Sequence, residues 1–166
     1  MNKYIIGVGI LAIILILVSY GLSKTETQDT AGKNTAEGVE LGISVTDNSY
    51  DFGDIDIFGG KVQTTYTLRN DGTEDISILS AVTSCMCTEG EIGGLIFGMH
   101  GSSGKTVRIS AGEEKTLTAF FDPLAHGPNG TGKIKRDLVL KTDSMVTPEI
   151  KVTFSANVIK NDDEKL

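Results

Sequence analysis

The 166-residue chain is long enough for one domain and an appendage, with a core that does not depend on disulfide staples. Its 22 acidic residues outnumber 15 basic ones, the formal net charge is −7, and lysine and arginine form no dense run, which excludes the electrostatic footprint of a nucleic-acid binder. Abundant glycine, no tryptophan and only two cysteines point to turns and short strands rather than a helical bundle.

Residues 4–22, YIIGVGILAIILILVSYGL, run without a charge between Lys3 and Lys24. At about 1.5 Å per residue the run just spans a hydrocarbon core about 30 Å thick, which predicts a transmembrane anchor. A cleaved signal peptide shares the basic start and the apolar run. No A-x-A site follows, however, and the run exceeds the roughly 7 to 15 apolar residues of a signal core. Lysines flank both sides, so charge alone barely orients the segment. The tail of residues 1–3 orients it better, because so short a tail stays in the cytoplasm while a long following domain crosses. The expectation is a single-pass cell-membrane protein with its C-terminal domain outside the cytoplasm. Residues 23–40 lack aromatics and are nearly free of apolar side chains, the composition of a flexible stalk.

The folded unit is expected over residues 41–159, and its period is two. ISVTD opens it. VQTTYTL places Val62, Thr64, Tyr66 and Leu68 on one face, and DISILSAV offers Ile76, Ile78 and Val82 to the core. GLIFG is a short middle candidate. TLTAFFD aligns Leu117, Ala119 and Phe121; IKRDLVLKT contributes Leu138 and Leu140; EIKVTFSANV aligns Ile150, Val152, Phe154, Ala156 and Val158. Turn signals NDGT, SAGEE and HGPNGTG separate these runs, and no amphipathic helix of useful length lies between them. The pattern predicts an all-β, Ig-like antiparallel sandwich of about seven strands, followed by a solvated tail over residues 160–166.

Residues 50–123 carry a further signal. Tyr50, Phe52, Gly53 and Ile55 are followed by Leu68, Asn70 and Gly72, then Ser84, Cys85, Cys87 and Thr88, then Gly112 and Glu113, then Phe121, Asp122 and Pro123. In order and spacing this resembles a widespread bacterial family of domains of unknown function, with the pattern F-x-F-G-x-I, F-x-N-x-G, S-C-G-C-T, P-G-E and T-F-D-P. The resemblance covers residues 44–159 and implies an Ig-like fold akin to the major sperm protein and ASH modules, in an exported or anchored setting. It implies no activity and supplies no catalytic residue. Two departures stand out: Met86 replaces the glycine between the cysteines, and GLIFGMHGSSGK lengthens the connection before the Gly-Glu turn.

Several motifs fail on inspection. GMHGSSGKT has Met99 where a phosphate loop needs its first glycine, with no following helix to face a phosphate. GSSG lacks the G-x-S-x-G frame of a serine nucleophile, and His100 and His126 are the only histidines available as bases, so no enzyme is expected. Asp47, Asp51, Asp54 and Asp56 lack the spacing of a calcium loop and read as a solvated strand edge. Asn129-Gly130-Thr131 fits a glycosylation sequon but is first a turn former.

The cysteines of SCMCT leave three readings open. In an extended strand Cys85 and Cys87 share a face with Cα atoms about 6.5 Å apart, near the limit for a disulfide, so a local bond requires a bent strand. Buried inert thiols are the first reading, and a redox-active pair is the second. The third is a soft-metal site, since two thiolates suit copper(I) and Met99, His100 or His126 are the ligands that would complete it. The expected function is an anchored, extracytoplasmic Ig-like module that binds another envelope or surface protein and catalyses nothing, with copper binding or thiol redox chemistry at Cys85 and Cys87 as the alternative.

Overall fold

The computed structural model describes residues 41–102 and 104–161. The expected anchor, stalk and most of the tail lie outside these residues, and among the described residues no helix is long and apolar enough to cross a membrane.

The described residues form β1 (Ile43–Val45), β2 (Ser49–Asp56), β3 (Val62–Asn70), β4 (Ile76–Thr83), β5 (Thr88–Ile92), β6 (Leu95–Gly98), β7 (Gly101–Ser102), β8 (Val107–Ile109), β9 (Glu114–Phe121), a 3-10 turn (Pro123–His126), β10 (Gly132–Thr142) and β11 (Glu149–Ile159). They build two sheets, ordered β1-β3-β9-β5-β6-β7 and β2-β11-β10-β4-β8. The described residues therefore form the all-β two-sheet sandwich expected, but with eleven strands rather than about seven. β7 and β8 are two and three residues long, too short to show a period. β5 hides its alternation behind Gly90, where a Cβ would lie 2.1 Å from the ring of Phe97, so the partner strand fills the place of a side chain. The lengthened connection, residues 94–105, accounts for β6 and β7, which extend the first sheet beyond β5.

Alternation builds the core. Thr64, Tyr66 and Leu68 of β3, Leu117, Ala119 and Phe121 of β9, and Ile150, Val152, Phe154, Ala156 and Val158 of β11 all point between the sheets. Val82 departs from expectation: it is exposed, because a bulge opposite Lys141 and Thr142 leaves one extra β4 residue, reverses the phase, and turns Ala81 and Thr83 inward instead. The Phe154 ring meets Phe121 and Phe52 at centroid distances of 5.5 and 5.6 Å, joining both sheets. Tyr66 crosses the same gap, and its hydroxyl donates to the Thr153 carbonyl at 2.8 Å. Burial pushes that phenol up to about 12, so it remains a donor at neutral pH.

β2 runs parallel to β11 on the outer edge of the second sheet, and Gly53 (φ 67) marks a register break within the pair. Of the acids expected at a strand edge, Asp51, Asp54 and Asp56 lie there and Asp47 lies just before it; Asp51 accepts from Ser155 at 3.0 Å and Asp54 from Asn157 at 2.8 Å, as rungs between the two strands.

Candidate functional site

The two cysteines sit in a turn, not in a strand. β4 belongs to the second sheet and β5 to the first, so residues 84–87 must carry the chain across the end of the sandwich. The Thr88 N–H donates to the Cys85 carbonyl at 3.1 Å and closes the turn, while the buried Thr83 hydroxyl lies 3.0 Å from the carbonyls of both Cys85 and Thr88. Ser84 binds β10 twice, donating its N–H to the Asp137 carbonyl at 3.0 Å and accepting the Asp137 N–H at 2.9 Å. The Asp122 N–H holds the Cys87 carbonyl at 2.9 Å. This bent path brings the Cα atoms to 5.3 Å, inside the range a disulfide accepts, and Cys85 and Cys87 are joined as one. Met86, at the bend, is 66% exposed.

Two basic side chains reach the sulfurs. His126 ends the 3-10 turn, which the Asp122 carboxylate starts by accepting the Leu124 N–H at 3.0 Å, with Pro123 in the first helical position. That cap explains the Asp-Pro pair after β9, and it brings His126 Nε2 to 3.2 Å from Cys85 Sγ. Arg136, on β10, donates from Nε to Cys87 Sγ at 3.2 Å. The Cys87 N–H also points at Cys85 Sγ, at 3.3 Å. Cys87 is buried and Cys85 half-buried, whereas His126 is exposed.

Of the five residues expected at a metal or redox site, Cys85, Cys87 and His126 come together, with their ligand atoms all within 4.8 Å of one another. His100 is outside that group, and with Met99 it occupies the exposed turn between β6 and β7. Arg136 escaped the sequence reading although it left a trace. Ile134, Arg136, Leu138 and Leu140 share the inward face of β10, and a guanidinium on such a face requires a partner. The arrangement provides a sulfur pair at the rim of the core with a guanidinium on one sulfur and an imidazole on the other, a setting that stabilises thiolates when the bond opens.

Fold and site together define an Ig-like β-sandwich with a cystine at one end. The chain belongs to the DUF1573 family, described as a protein of unknown function, which matches residues 43–158. No curated protein matches it. Among solved structures, a protein of unknown function from Porphyromonas gingivalis W83 is similar with a TM-score of 0.57 and 16% identity over 72% of this chain and 47% of that one, a likeness of fold. The chain thus spans about half the length of that relative. The PapD-like domain 7 of human CEP192 matches with a TM-score of 0.47 and 13% identity over 74% of this chain and 89% of that one. The YadV chaperone matches with a TM-score of 0.47 and 9% identity over 71% and 52%.

Proposed function

We propose that the chain is a single-pass, membrane-anchored module whose Ig-like domain lies outside the cytoplasm, binds another envelope or surface protein and catalyses no reaction. The observation that supports binding is the inequality of the sheet edges. β1, β7 and β8 close three edges with three, two and three residues, whereas the fourth edge is the eight-residue β2. A long outer strand offers main-chain groups on its unpaired side, to which a partner strand adds through backbone hydrogen bonds. The break at Gly53 confines that run to residues 49–52, where Tyr50 is 46% exposed. A photo-crosslinking residue at Tyr50 of the full chain, in cells that make it, is expected to give one discrete protein adduct that the same group at Met145 does not. Equal labelling at both positions overturns the binding edge. Carbonate extraction tests the anchor separately: the full chain stays with the membrane until detergent is added, and recovery of a shortened soluble form contradicts it.

A second reading rests on the contacts of His126 and Arg136 with the two sulfurs. In it the same sandwich serves as a thiol redox protein, or, with the pair reduced, as a copper(I) site of Cys85, Cys87 and His126. Stoichiometric copper that is lost in Cys85→Ser supports the metal form, and metal-free protein with a reversible disulfide supports the redox form.

A further inference from the structure

We propose that the cystine exchanges with thiols in one direction: the incoming thiolate attacks Cys85, and Cys87 leaves as a thiolate held by Arg136. The inference rests on the redox reading of the site and adds the order of events and the role of each side chain.

Access sets the order. Cys87 is 3% exposed, and the cleft above it, lined by Lys61, Met86, Glu89, Phe120, Asp122 and Ala125, has a volume of about 70 Å³. Attack on a disulfide sulfur needs access to it, and Cys87 offers almost none at the floor of that cleft. Cys85 is half-buried and borders the exposed His126, so it is the sulfur a partner reaches.

Charge favours the same order. Exchange quickens when the departing sulfur is a stable thiolate. Arg136 Nε already donates to Cys87 Sγ, so the negative charge that forms as the bond breaks meets a permanent cation. In the first step the thiolate RS⁻ bonds to Cys85 Sγ, the Cys85–Cys87 bond breaks, and its electron pair leaves on Cys87 Sγ. In the second step another thiolate attacks the R sulfur of the mixed disulfide, and Cys85 leaves with the electron pair. His126 Nε2, 3.2 Å from Cys85 Sγ, is placed to return a proton to it. The sum is cystine plus two thiols giving two cysteines plus one new disulfide, so the cystine gains two electrons and two protons and the thiols lose them. The class of partner is a protein dithiol, whose second sulfur carries out the second attack within the mixed complex.

The test uses the full-length protein in detergent, with reduced glutathione as the probe. After brief reaction, alkylation with N-ethylmaleimide and peptide mass analysis, glutathione is expected on Cys85 and the maleimide on Cys87. The reverse placement overturns the order of attack while leaving a working redox pair. A second arm measures the equilibrium constant with glutathione and the rate of exchange. Arg136→Gln is expected to shift the equilibrium toward the disulfide and slow exchange, each by about tenfold, and Arg136→Lys to restore most of both. Values in Arg136→Gln equal to those of the unaltered protein overturn the role of Arg136. A cystine that glutathione and excess dithiothreitol both leave intact in the folded protein, or a pair that never oxidises, removes the redox reading itself.

Discussion

The two ends of the sandwich carry family motifs at similar density but differ in what those motifs do. Asn70 and Cys87 mark opposite ends, since β3 pairs Arg69 with Glu114 at one limit of β9 while Thr88 pairs with Phe121 at the other. At the first end Asn70 is fully buried, donates to the carbonyls of Glu74 and Ile109 at 2.8 and 3.0 Å, and accepts the Gly72 N–H at 3.0 Å. Its main chain also exchanges bonds with Gly112 and Glu113. Every group that Asn70 bonds is a neutral backbone group of the same chain, the condition of a clamp, and the charged side chains around it, such as Arg69 with Asp71 and Glu114, pair with one another. At the second end a half-buried sulfur, an imidazole and a guanidinium meet at the rim, and His126 remains exposed. Similar motif density therefore goes with different surroundings: a buried amide bonded to backbone at the first end, and two sulfurs with basic neighbours at the rim of the second.

Destroying the core between the ends should abolish the contrast with the largest effect. Phe154→Ala is expected to cost about 3 to 5 kcal/mol in denaturant unfolding, because the ring contacts both sheets and its cavity cannot fully collapse. A loss of less than about 1 kcal/mol would remove Phe154 from the core described here.

The contrast itself is sharpened by a paired measurement. Asn70→Ala strands two carbonyls and one N–H in a buried place, with an expected cost of about 3 kcal/mol. Replacing both cysteines by serine opens a loop of only a few residues, for which chain entropy sets about 1 to 2 kcal/mol. A larger loss in the double serine variant would make the cystine a structural staple, contrary to the division drawn between the ends.

The smallest effect concerns acid. Lys151 bonds the Asp137 carboxylate, and the Thr153 hydroxyl donates to it as well, and together they hold its pKa below the usual carboxylate range. A depressed folded-state pKa contributes stability that is complete above the unfolded value of about 3.9 and is lost as pH falls through the folded value. Stability should therefore decline below about pH 4, and Asp137→Asn should flatten that limb. An unchanged acid limb in the variant would separate Asp137 from the behaviour of this end.

Much of the sandwich was legible in period-two runs, because a strand with one buried face must alternate, as β3 and β11 do. Val82 was misread because a bulge moves residues between faces without changing their types. At the site, Cys85 and Cys87 could be named from their rarity, but the bend that joins them depends on Thr83, Ser84 and Asp137, whose hydrogen bonds leave no periodic signal. His126 was one of two histidines offered on equal terms. The Asp122 cap and Pro123 distinguish it from His100 by ending β9 in a turn that places the ring over Cys85. Arg136 was the most readable of the residues missed, as a charge on an inward strand position.

The proposal that the end carrying Cys85 and Cys87 also serves sulfur chemistry is tested most directly by counting thiols in the folded full-length protein before and after mild reduction, with copper and zinc measured alongside. The account predicts no free thiol at first, two after reduction, and return of the bond on oxidation. Two free, slowly reacting thiols with no bound metal, unchanged by oxidant, would contradict it.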